Sequence, residues 1–527
     1  MKKFLLLVLC FGISNIFSQG IVNLTQLEIP ELVASTNPLF YTFHTFDADA
    51  EDDSFYIYFN KQSKNNYTGV LFIDYKKAPY QGVLYKVSKN LNSYSLANIN
   101  IPDYNSFIYC TDNKNSIMVF YQNYDKESNI LTIKKVTLDK KNINAEPLIE
   151  DVLNFHLENK DYTSFICAGS ADKQLFAISM LLTDKKSQLK DLFTATFDNE
   201  GEVIWQTTST PHLENEFFNI ADMQVANDGV VYYCISSYSK EGPKLFNYKF
   251  HLYTVEENLT DIQYEDIDFG TIKDMKMKIL KNGKLFIGGY YSEKPDDNAG
   301  GSFSYTLNPV SMEIENKNHQ IFSSDYFQPY NMYNPIKLNF VNQQHRVNCD
   351  YIFELYNGKI IMLGEQRADY ATYSNGSYTF TCYAKSIITN TFTPEGDYDS
   401  YFMIKKNQAA LSNMQYSSPE DLFLSYAAFD NGKNVFLIYN DHTNNLSPTT
   451  LNKDMFKIGN PFYKINKNSC VTLTQIDEND NIAKWNIMDC TTTKKVYNQI
   501  MFINGNEIVF DAFSRKLNTL SKFTLPN

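Results

Sequence analysis

Tryptophan is almost missing from this 527-residue chain: Trp205 and Trp485 are the only two. Glycine and proline are sparse, at 21 and 16 residues. No stretch rich in Gly, Pro or Ser divides the chain, so one continuous domain is expected over 39–527. No run after the first residues approaches the ~18 consecutive apolar positions of a membrane helix. There is no P-loop and no G-x-G-x-x-G, so nucleotide binding has no support. There is no G-x-S-x-G nucleophile turn. The seven histidines are scattered, and no two have metal-ligand spacing. No metal and no cofactor is expected. Basic residues are the minority, 47 against 60 acidic, and such a surface repels nucleic acid and anionic lipid.

What the chain has in abundance is Tyr (38) and Phe (39), ring residues that suit strands. They sit in a recurring pattern, clearest at 274–291. Alternating apolar residues Met275, Met277 and Ile279 lead to a polar turn, Lys281-Asn282-Gly283-Lys284. A second apolar run, Leu285-Phe286-Ile287, follows. Asn-Gly supplies the positive φ angles of a tight turn, so the stretch reads as an antiparallel hairpin.

Groups of three or four such strands begin near 106, 162, 219 and 273, at nearly equal steps. An earlier group holds strands at 54–59, 69–75 and 83–87. Later groups start at 350, 421 and 461, and 315–348 carries no clean strand pattern. The tail holds two or three more strands, placed to complete the first blade and close a ring. Fixed-period sets of four short strands mark a β-propeller, here of seven or eight blades. The fold class is all-β.

Residues 1–18 read as a signal peptide: Lys2 and Lys3, an apolar middle at 4–11, and small Ser18 before Gln19. Its removal would leave 45 basic against 60 acidic residues. The expected location is the periplasm or the cell exterior. Residues 19–38 read as an extended lead-in. Seven cysteines would remain, an odd number that excludes complete internal pairing. Cys470 and Cys490 flank a predicted hairpin, and their separation permits one disulfide.

The runs at 349–366 (CDYIFELYNGKIIMLGEQ), 370–384 and 434–446 (NVFLIYNDHTNNL) resemble a group of secreted β-propeller-like proteins of Bacteroidota. The resemblance covers roughly 270–527. It implies compartment and fold, not chemistry.

Three places merit a chemical reading. Tyr326, Phe327, Tyr330 and Tyr333 lie in a long connection and offer flat faces for a sugar or peptide. Asp441 beside His442 could orient an imidazole, although Asx-turn chemistry explains the pair equally well. Glu365 and Gln366 follow a strand, and a glycan-cleaving propeller would need two carboxylates across a pocket. The acidic runs at 47–53 and 477–481 read as solvated turns. No residue has a catalytic signature. The function expected is a monomeric, non-catalytic binding or scaffold module for a protein or glycan partner in the cell envelope. The alternative is a carbohydrate-active hydrolase or lyase with rim carboxylates.

Overall fold

The computed structural model describes residues 24–29, 41–47, 53–62, 80–101, 106–163, 165–186, 190–211, 217–241, 245–256, 263–267, 271–292, 300–322, 340–374, 377–412, 424–446, 456–458, 467–493, 495–514 and 517–525. They form eight sheets arranged as an eight-bladed propeller, antiparallel except where Gln408–Ser412 pairs parallel with Phe456–Ile458 in blade 6. Blades 1 to 5 begin at Tyr41, Ser106, Lys160, Phe217 and Thr271, and blades 6, 7 and 8 at Phe340, Ala427 and Val496. The period read from the sequence therefore corresponds to the blades.

The reason for the ring is visible in the second strand of each blade. In blade 5 this is Leu285–Ser292, buried at all eight positions. Alternate side chains of a strand point to opposite faces. Leu285, Ile287 and Tyr291 accordingly pack against blade 4, while Phe286 and Tyr290 pack against blade 6. A sheet apolar on both faces needs a neighbour on each side. The described residues contain eight hydrophobic clusters, one for each junction between adjacent blades, including the junction of blade 8 with blade 1. Each fully buried Leu, Ile or Phe contributes about 1.5–3 kcal/mol.

In blades 4 to 7 tight turns join the first and second strands and share one face of the ring, here termed the turn face. At Lys281–Lys284 only Gly283 takes a positive φ, +81°. The amide of Gly283 donates to the Leu280 carbonyl at 2.9 Å, and that of Leu280 to the Lys284 carbonyl at 2.8 Å. This is the longer turn that ends on a left-handed glycine, not the two-residue turn with positive φ at both Asn and Gly. Gly229 and Gly358 repeat it in blades 4 and 6, while in blade 7 Gly432, also at positive φ, donates to the Asp430 carboxylate in a turn one residue shorter.

Several expectations change. The groups at 421 and 461 are one blade, with strand order Ala427–Asp430, Val435–His442, Ser469–Ile476 and Ile482–Asp489. The tail is not part of blade 1. It forms blade 8 from Val496–Asn504, Glu507–Ser514 and Leu517–Thr524, with Thr25–Ile29 as the outermost strand. The lead-in thus holds the closing strand, paired from Thr25 with Lys522 to Ile29 with Asn518. The span 315–348 carries part of the outer strand of blade 5, Ile314–Ile321, and the start of a long inner strand, Phe340–Glu354. The first was missed because its inward positions, among them Asn316 and Asn318, are polar. The strand expected at 69–75 lies outside the described residues. Cys470 and Cys490 are buried free thiols, and burial pushes both up.

The junction between blades 5 and 6 is tightly packed at Gly364. A Cβ at Gly364 would run into the Tyr290 ring and the Asn348 carbonyl, and Tyr290 is fully buried. Gly364→Ala is expected to cost about 1–3 kcal/mol by overpacking, read as a lower urea midpoint. Gly300→Ala, where nothing lies within 4 Å of the added carbon, is the control and should leave the midpoint unchanged.

Candidate functional site

Tyr326, Phe327, Tyr330 and Tyr333 lie outside the described residues. Asp441 and His442 end the buried second strand of blade 7. One Asp441 oxygen accepts from the His442 backbone amide at 2.8 Å and from the Asn445 side-chain amide at 2.7 Å. His442 Nδ1 accepts from the Asn444 amide at 3.2 Å and caps the short 3-10 turn Thr443–Asn445. The pair builds a turn. Burial pushes the Asp441 carboxyl up, and Lys484 opposes that.

Glu365 has a carboxylate companion, Asp350, which composition and spacing did not reveal. Asp350 is the extra residue of a bulge between Cys349 and Tyr351 on the inner strand of blade 6. Burial and then the Glu365 charge push its carboxyl up to about 7. Burial alone would also raise Glu365, but the Lys406 ammonium and the Arg367 guanidinium hold it below the usual range. Arg367 Nε donates to Glu365 Oε2 at 2.6 Å, and Lys406 Nζ donates to Glu365 Oε1. Lys406 also donates to Gln408, whose amide reaches the Asn440 carbonyl of blade 7 at 2.6 Å. Glu365 is 1% exposed and Lys406 not at all. Such a network braces two blades and commits both Glu365 oxygens to Arg367 and Lys406.

The turn face is open. A cavity of about 1360 Å³ sits where the turns of several blades converge. Asp228, Glu354 and Asp430 line it, and each carboxylate accepts from a backbone amide: Val230 at 3.2 Å, Lys281 at 2.7 Å and Gly432 at 2.9 Å. Lys281 Nζ donates to the Leu355 carbonyl at 2.9 Å and lies 5.0 Å over the Tyr356 ring. The Tyr356 amide donates to the Gly432 carbonyl at 2.6 Å, and its ring rests where a Cβ on residue 432 would stand. Blades 5, 6 and 7 are thereby linked turn to turn. Tyr356 is nonetheless 73% exposed and Val310 83%. The asparagine-glycine turns were legible in sequence; their convergence was not.

No protein-family model matches the chain, and no curated protein matches it in sequence. Solved structures resemble it in fold. The β-propeller domain of the trilobed protease from Pyrococcus furiosus shares 10% identity, covering 68% of this chain and 92% of that one, with a TM-score of 0.29. Polysaccharide lyase Uly1 shares 8%, covering 81% and 91%, with a TM-score of 0.34. The α-L-arabinanase of Penicillium chrysogenum shares 7%, covering 72% and 98%, with a TM-score of 0.33. Among the described residues no helix is long and apolar enough to cross a membrane.

The raised Asp350 carboxyl sets a pH dependence. Below about pH 4 the group is protonated in folded and unfolded chains alike. Between about 4 and 7 only the folded chain keeps the proton, so stability falls as pH rises through that window. Asp350→Asn should remove this loss. Its melting temperature should match wild type near pH 4 and exceed it at pH 8.

Proposed function

We propose that the protein is an exported, non-catalytic binding or scaffold propeller, taking a protein or glycan partner of the cell envelope at the mouth of its turn face. The observation that carries this reading is the exposed pair Tyr356 and Val310 beside a large open cavity whose three acids each hold a backbone amide with one oxygen. Solvent-facing rings in a concave site are typical of recognition. A hydrolase or lyase needs an acid free to reach the substrate. The Asp350–Glu365 pair is what favours that second reading, since their environments push the two carboxyls apart; the burial of Glu365 weighs against it. Export rests on the N-terminal residues, and sequencing the mature N-terminus should find Gln19 first.

The test is capture of envelope proteins and glycans on immobilised mature protein, compared with Tyr356→Ala and Val310→Asp. Val310→Asp lies on an exposed rim and should leave melting unchanged, whereas Tyr356→Ala gives up the ring contacts with Lys281 and Gly432 and should lower it slightly. At least a tenfold loss of captured partner is expected from the two together. Capture that survives both changes would exclude the mouth. Glycan turnover that disappears in Asp350→Asn would establish the enzyme reading in its place.

A further inference from the structure

Charge at the mouth is balanced in number but not in availability. Three acids and three lysines line it. The acids hold turn amides, and Lys281 is bound to carbonyl oxygens and to the Tyr356 ring. The ammonium groups of Lys278 and Lys433 have no hydrogen-bond or ion-pair partner among the described residues. Lys278 lies at the end of the first strand of blade 5, Thr271–Ile279, and Lys433 on the turn of blade 7, on either side of the Tyr356 turn of blade 6. Two uncommitted ammonium groups in one concavity favour a ligand that brings carboxylates.

The walls narrow the class further. Val225, Ile279, Val310 and Ile503 present aliphatic carbon to the same space. A sugar carries hydroxyls around most of its ring, and those set against aliphatic walls lose hydrogen bonds to water without replacement. Leu or Val side chains gain there. At about 1360 Å³ the space also exceeds the ~300–1,000 Å³ usual for small-molecule pockets. It has room for a length of chain.

We infer that the mouth receives a segment of a protein partner that alternates acidic and aliphatic residues, its carboxylates meeting Lys278 and Lys433 and its aliphatic side chains meeting Val310, Ile503 and Ile279. The inference rests on the mouth being the binding site. The whole chain is acidic, with a formal charge of −13. Long-range attraction therefore does not steer an acidic partner in. Recognition comes from contact inside the mouth.

The experiment measures fluorescence anisotropy of the full mature protein with four labelled probes: a capped peptide alternating Glu and Leu, its Lys–Leu and Gln–Leu counterparts, and oligogalacturonate as an acidic glycan. The Glu–Leu peptide should bind at least tenfold more tightly than the other three. Lys278→Glu with Lys433→Glu should weaken it at least tenfold, and Lys186→Glu, an exposed lysine of blade 3, should not. Neither ammonium group has a partner among the described residues, so the double variant should melt as wild type does. Equal or tighter binding of oligogalacturonate, or of the Gln–Leu or Lys–Leu peptide, would overturn the acidic-peptide assignment and leave the mouth as a binding site. No binding by any probe overturns the assignment too, and the capture experiment with Tyr356→Ala and Val310→Asp then decides separately whether the mouth binds at all.

Discussion

Everything in this molecule depends on sheets that are apolar on both faces. A blade such as the fifth cannot be stable alone, because its fully buried second strand would expose one complete row of side chains. Stacking cures this only if every blade has two neighbours, and that condition closes the chain into a ring. The eight clusters between blades are the thermodynamic content of the fold. Turns and connections are then free to vary, and the turn face can be chemically uneven around the axis.

Much of the ring was legible because its determinants are local. Alternation and the Asn-Gly turns report strands and hairpins within about twenty residues of each other. The blade count was legible for the same reason, though two errors of grouping cancelled. Blade 7 was divided because a long connection separates Val435–His442 from Ser469–Ile476. Blade 8 was absorbed into the first because its outermost strand, Thr25–Ile29, comes from the other end of the chain. Hydrophobic patterning carries no record of which distant strand is a partner.

The sites were less legible, and for a physical reason. Asp441 and His442 invited a chemical reading because they are adjacent, yet adjacency at a strand end is how turns are built. Asp350 and Glu365 interact across a hairpin whose bulge shifts the register, so no spacing rule reveals them. The mouth takes a few residues from each of several turns and strand ends spaced about fifty to eighty residues apart. Each turn reads as solvated loop by itself. Only the ring makes Lys278, Tyr356 and Lys433 neighbours.

The composition of the eighth blade has a consequence in time. Thr25–Ile29 is made first and pairs with Asn518–Lys522, nearly five hundred residues later. Bringing such distant segments together carries a loop-closure cost that no local hairpin shares. While the chain is being threaded or synthesised from its N-terminus, blades 1 to 7 can stack in sequence, but the outer edge of blade 8 has no partner until both ends are present. Ring closure therefore waits until both ends of the chain are present. A chain stalled before Leu517 would hold an open arc with two apolar blade faces facing water, the state most exposed to aggregation and to quality-control proteases.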